Sequence, residues 1–193
     1  MWSCSTTLAH VVVPIGGGGL ASGVALAVKL ARPDVRITGV QAAACAPFLS
    51  SLRERRPVPV PAAPMIADVV AIKRPGNLTL DLIERWVDEV VTVEDDEIAE
   101  AMALLVERGK LLVEGAGAAA TAALLGGAVA PAPQGVTAVI ASGGNVDAKV
   151  LADLIARRET RVGRRVRLRT RVPDRPGGLA AACCRPSPRP ART

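Results

Sequence analysis

Aromatic side chains are nearly missing: Trp2, Phe48 and Trp86 are the whole set in 193 residues, and tyrosine does not occur. Recognition of single-stranded nucleic acid by base stacking needs aromatic platforms, so this class of function has no basis here. Cysteine is scarce too. Cys4, Cys45, Cys183 and Cys184 form no CxxC pair and have no histidine near them, so neither a zinc site nor a disulfide framework is expected, and free thiols in a reducing cytoplasm are the default. Formal charge is missing from residues 1–28 and 115–146. These runs are broken by Pro14 and four consecutive glycines in the first, and by Gly126-Gly127, Pro131 and Pro133 in the second, so no membrane span is expected. No charged segment precedes an apolar run in the manner of a secretory signal, and a cytoplasmic location is expected.

Half of the residues are hydrophobic and 22% are charged, the balance of a folded domain with an ordinary core. The net charge of +6 is unevenly placed. Residues 157–193 hold 12 Arg and two acids, whereas residues 1–156 are net −4. A basic tail can touch nucleic acid or a membrane surface. Arg outnumbers Lys 20 to 4 along the whole chain, however, and this compositional bias accounts for the excess without either partner.

Strand-like and helix-like segments alternate. Residues 10–15 are apolar and β-branched and run into Gly16-Gly17-Gly18-Gly19. A helix is expected over 20–31, a strand over 35–41, a short helix over 45–54, a proline-rich connection over 56–64, and an amphipathic helix over 78–86. A strand over 89–93 then leads to a helix reaching about Arg108, with Thr92 as the candidate cap and acids in its first turn. A small-residue helix over 117–125, a strand over 136–141 and a closing helix over 149–158 complete the pattern. This alternation predicts an α/β fold with a doubly wound parallel sheet and right-handed crossovers. Beyond it, residues 165–172 alternate Arg with apolar residues like a half-exposed strand, and the Pro/Arg tail over 183–193 is expected to be disordered.

Three places carry chemistry. The glycine run Gly16–Gly19 between strand and helix lets the backbone approach a ligand, and the helix N-terminus offers N–H groups to a phosphate. A dinucleotide cradle would need an acid at the end of the second strand, but Gln41 and three alanines stand there, and no Gly-Lys-Ser/Thr follows the loop. A compact phosphate is therefore expected. Ser142, in Ala141-Ser142-Gly143-Gly144-Asn145 at a strand end, would face the same crevice if its strand lies parallel beside the first, and its hydroxyl can bond a ring nitrogen. Glu114 is the single acid in a small, apolar run; it reads equally as a site carboxylate or as the N-cap of the next helix.

Four motifs come in one order: Val-Pro-Ile-Gly-Gly-Gly-Gly-Leu; Ile66-Ala67-Asp68 with Lys73-Arg74-Pro75-Gly76; Glu114-Gly115-Ala116-Gly117; and Ser142-Gly143-Gly144-Asn145. Together they resemble the second half of the catalytic region of threonine ammonia-lyase, a pyridoxal-phosphate enzyme of the tryptophan-synthase-β fold type. Residues 165–179, with Pro173-Asp174-Arg175-Pro176-Gly177-Gly178, resemble the start of an ACT regulatory domain. The resemblance implies that Gly16, Gly17, Gly18, Gly19 and Leu20 hold the cofactor phosphate, that Ser142 faces the pyridine nitrogen, and that Glu114 is a carboxylate at the ring edge. It implies an amino-acid substrate, threonine or serine, and a homo-oligomer.

The chain also departs from that family. The Schiff-base lysine motif, Ser-x-Lys, is absent, and Lys29, Lys73, Lys110 and Lys149 lie in other contexts. Val69 replaces a usual glycine and could crowd the cofactor. Gln41, Cys45 and Pro47 stand where related enzymes carry acids for a divalent ion, so no metal is expected. The expected organisation is a divergent segment over 1–9, the second half of the lyase domain over 10–158, a truncated ACT start over 159–182 and a tail over 183–193. A chain so built is expected to be a truncated or frame-shifted product, inactive alone. The other possibilities are a non-catalytic phosphate-ligand module and an NAD-binding protein.

Overall fold

Three valines in a row, Val11 to Val13, make a strand that is stiff at χ1 and apolar on both sides, as the interior of a parallel sheet demands. In the computed structural model, which describes residues 8–61 and 72–166, this strand, β1 (Leu8–Pro14), lies inside a four-stranded sheet. The others are β2 (Arg36–Ala42), β3 (Glu89–Val93) and β4 (Val136–Val139), in the order β3-β2-β1-β4. All pairings are parallel: Val12 sits opposite Thr38 of β2 and Val139 of β4, and Val40 opposite Val91 of β3.

The period-2 alternation sorts the core into two layers. Val11, Val13 and Ile37 point to one face, where they join Ala21, Ala25, Phe48, Leu80 and Ile83. These come from α1 (Gly19–Ala31), α2 (Pro47–Glu54) and α3 (Asn77–Trp86). Val12, Val40 and Val93 point to the other face, against Ile98 and Met102 of α4 (Asp95–Leu104) and Ala118 to Ala123 of α5 (Gly115–Leu125). Leu154 of α6 (Ala148–Arg161) closes this second layer, and Arg158 of the same helix donates to Glu100 at 2.6 Å and to Glu107. Helix α5 is glycine and alanine over most of its length, and these small side chains let its axis lie close across β1, β2 and β3.

The local details differ from the sequence expectation in places. Thr92 does not cap α4; it belongs to β3, and Glu94 is the N-cap, with the Glu97 carboxylate accepting the Glu94 N–H at 2.7 Å. Glutamate serves here because the residue three positions on can reach back. The α-helix stops at Leu104 and widens into a π-helical turn, Leu105–Gly109, which ends on Lys110 at φ +56°. The expected helix over 45–54 divides into a 3-10 turn (Ala43–Cys45) and α2, because Pro47 pre-sets the first turn of a new helix. The small-residue helix starts at Gly115, two residues earlier than expected. The described residues include no helix long and apolar enough to cross a membrane. Val69, most of the divergent N-terminal segment, most of the ACT-like stretch and the Pro/Arg tail lie outside the described residues. The chain divides into two units, one ending at Arg158 and one beginning at Glu159.

Candidate functional site

The chain runs outward from β1 to β2 to β3 with its helices on one face, and must then return across the sheet to β4. Keeping the same crossover hand while reversing direction puts α4 and α5 on the opposite face. The connections therefore diverge between β1 and β4, and a crevice opens beyond their carboxyl ends, the place where open α/β sheets bind ligands. A pocket of about 160 Å³ lies there. Gly16, Gly17, Gly18, Gly19 and Leu20 form one wall, and Glu114, Ala116 and Ser142 form the other. The structure thus gathers Gly16 to Leu20, Glu114 and Ser142 into one cavity; Pro14 and Ala116, also in the lining, had been given no role of their own.

Each wall has a backbone reason for its shape. Gly18 sits at φ +88° as the N-cap of α1, and its carbonyl accepts the Ser22 N–H at 2.8 Å. A Cβ there would stand 2.7 Å from the Phe48 ring, so both the dihedral and the packing require glycine. Gly17 and Gly19 have other reasons to be small. A Cβ at Gly17 would make ordinary contact with Ile72 at 3.4 Å, and one at Gly19 would meet nothing within 4 Å. The opening N–H groups of α1 have no intrahelical acceptor and carry the positive end of the helix dipole. This wall offers an anion a set of donors with no side chain in the way.

Glu114 resolves the two readings left open by the sequence. Its backbone is the N-cap of α5, but its side chain makes no capping bond. Glu114 is one of the residues that line the pocket, and its Oε2 is buried without a hydrogen-bond partner among the described residues. A buried lone acceptor calls for a donor from a ligand. Ser142 lies across from the glycine wall, half-buried, on a loop whose Gly143 has φ +71°. Gln41 is engaged elsewhere: its Oε1 accepts the Phe48 N–H at 3.0 Å and steadies the start of α2. Among the described residues, no lysine lines the pocket. Lys29 is bound to Asp88 at 2.8 Å, and Lys110 donates to the Glu107 carbonyl at 2.8 Å.

A larger cavity, about 440 Å³, opens at the opposite end of the sheet beside Ala9, His10, Arg36 and Pro131. Two of its polar side chains already have partners: His10 Nε2 bonds Thr38 Oγ1 at 2.8 Å, and Arg36 pairs with Glu89. Burial, aided by the Arg36 charge, holds the His10 pKa below its ordinary value.

A parallel sheet with a phosphate-sized glycine cradle at its switch point, faced by a serine and a carboxylate, defines a cofactor-binding α/β protein. The chain belongs to the pyridoxal-phosphate dependent enzyme family, whose profile matches residues 3–143. It is 45% identical to an L-threonine ammonia-lyase of Geobacter sulfurreducens over 173 residues, 90% of this chain and 43% of that protein. Among solved structures it is similar to the processed form of threonine deaminase isoform 2 from Solanum lycopersicum, with TM-score 0.70 and 29% identity over 77% of this chain and 44% of the other. It is also similar to maize serine racemase, with TM-score 0.68 and 31% identity over 82% of this chain and 49% of the other. The chain spans less than half the length of the curated relatives it matches.

Proposed function

We propose that this chain is the cofactor-holding half of a threonine ammonia-lyase, the enzyme that turns L-threonine into 2-oxobutanoate and ammonia in isoleucine synthesis or threonine breakdown. The observation that carries the reading is the meeting of Gly16 to Gly19, Glu114 and Ser142 in one pocket between β1 and β4. The residues present suit pyridoxal phosphate in two of its three parts. Gly16 to Gly19 and Leu20 would hold the phosphate through N–H groups, and the Ser142 hydroxyl would bond the pyridine nitrogen. Glu114 would accept a donor at the ring edge, which answers its orphaned oxygen. The third part, the aldehyde, needs a lysine amine for covalent attachment, and no lysine is in the pocket lining among the described residues.

When bound, the cofactor supplies the electron sink for elimination. A neutral serine partner leaves the ring nitrogen unprotonated, which suits β-elimination because a full electron sink is not needed. The chain by itself orients the cofactor and does not turn over substrate. The whole protein acts on a small amino acid in the cytoplasm, as a homo-oligomer with an ACT domain downstream. Serine is the alternative substrate, supported by the likeness to maize serine racemase; threonine is preferred on the higher identity to the Geobacter enzyme.

Equilibrium dialysis of the full chain with pyridoxal phosphate tests this reading. Binding is expected to compete with inorganic phosphate, to leave no stoichiometric lysine adduct after borohydride, and to give no 2-oxobutanoate from threonine. Binding of NAD with indifference to pyridoxal phosphate would overturn the cofactor assignment. A stoichiometric adduct at Lys29, Lys73, Lys110 or Lys149 with ammonia release would overturn the inactivity.

A further inference from the structure

The loop that carries Ser142 rests on the first turn of α5 through main-chain contacts. Gly117 lies directly beneath it: a Cβ at that position would stand 1.5 Å from the Ser142 carbonyl oxygen and 2.6 Å from the carbonyl carbon. The Glu114 N–H donates to the Gly143 carbonyl at 3.1 Å. Gly143, at φ +71°, comes so close to Glu114 that a Cβ there would stand 2.3 Å from Oε1. Two absent methyl groups and one hydrogen bond therefore set how near the β4 loop comes to α5.

The helix itself has no use for glycine at position 117. Its neighbours are Ala116 and Ala118, and glycine inside a helix is destabilising relative to alanine because it loses more backbone entropy. We propose that Gly117 and Gly143 are positioning residues: together they seat the Ser142 loop on α5, and thereby aim the Ser142 hydroxyl and the Glu114 carboxylate into the pocket. This rests on the reading of that pocket as a pyridoxal-phosphate site. The seat governs one wall only. The glycine wall is built by β1 and α1, with its own packing against Phe48 on the other face of the sheet. Disturbing the seat must then weaken recognition of the ring and spare recognition of the phosphate, a split that a general loss of packing does not produce.

The test uses the full chain and two probes, pyridoxal phosphate and inorganic phosphate, with melting temperature measured alongside. Ser142→Ala should lose about fivefold in affinity for pyridoxal phosphate, the worth of one neutral hydrogen bond, and Gly117→Ala and Gly143→Ala, which also displace the Glu114 carboxylate, at least as much. Their affinity for inorganic phosphate should stay at the parent value. The double variant Gly117→Ala/Ser142→Ala should be no worse than Gly117→Ala alone, because the unseated loop has already withdrawn the Ser142 hydroxyl. Gly127→Ala is the control. It shares the left-handed strain of Gly143, at φ +80°, but has open space around its Cβ, and should leave both affinities unchanged. If Gly117→Ala fails to fold, Gly143→Ala on the exposed loop carries the comparison.

Parent-like binding of pyridoxal phosphate in the glycine variants would overturn the proposal, as would parallel loss of both probes or additivity in the double variant. If the parent chain binds no pyridoxal phosphate in competition with phosphate, the reading of the pocket fails and the seat fails with it.

Discussion

Glycines that look alike in the sequence have separable duties. Gly18→Ala places a side chain at φ +88° and 2.7 Å from Phe48, and is expected to cost about 2–3 kcal/mol of folding stability, seen as a lower urea midpoint. Gly19→Val adds a side chain to the pocket wall in open space. It is expected to leave the urea midpoint within about 0.5 kcal/mol of the parent while releasing phosphate ligands on dialysis. Parent-like retention of phosphate ligands by Gly19→Val would show the loop to be a mere turn. His10, the chain's one histidine, tests the other end of the sheet. Its folded pKa lies below 6.5 because burial disfavours the charged ring, so the unfolded chain takes up the proton first as pH falls. Stability is therefore expected to be full above the unfolded value and to decline as pH drops through about 6.5 toward the folded value. Urea midpoints at pH 7.5 and 5.5 should differ in the parent and converge in His10→Gln.

At the scale of elements, the sequence was most readable where one residue type decides the outcome. The valines of β1 and the glycine run each act through their own covalent chemistry, and their elements lie within two residues of the expected places. It was less readable where two local solutions compete. Thr92 and Glu94 can both cap α4; the strand claims Thr92, and Glu97 is in reach of Glu94. Glu97→Ala is thus expected to cost about 1 kcal/mol, with Glu97→Gln close to the parent, measured by thermal unfolding. The π-helical turn after Leu104 and the close approach of Gly117 to Ser142 could not be read at all. Both depend on partners remote in the chain, and a Gly-Ala-Gly string carries no mark of what will lie against it. Glu114 falls between: its role as N-cap was legible, whereas the turn of its carboxylate away from the cap was not.

At the scale of the whole molecule, α6 joins its layer through Leu154 in the core and through the Arg158 ion pairs. Arg158 is 14% exposed and bonds both Glu100 and Glu107, the latter within the π-helical turn. Arg158→Ala is expected to cost about 2–3 kcal/mol, and Arg158→Lys less than that, by urea unfolding, because each variant leaves half-buried glutamates short of a donor. The doubly wound order explains how three of the short motifs meet: the glycine run, Glu114-Gly115-Ala116-Gly117 and Ser142-Gly143-Gly144-Asn145 each lie past a strand end or at a helix start, and the topology brings those ends to one crevice. The pocket walls have one further consequence. Much of their surface is main chain, and alanine scanning works by deleting side-chain atoms. At Gly16 to Gly19 there are none to delete, so a conventional scan passes over the cradle or reports it as a folding defect at Gly18. Only a scan that adds bulk outlines this site, and its map would be the photographic negative of the usual one, dark where the side chain is smallest.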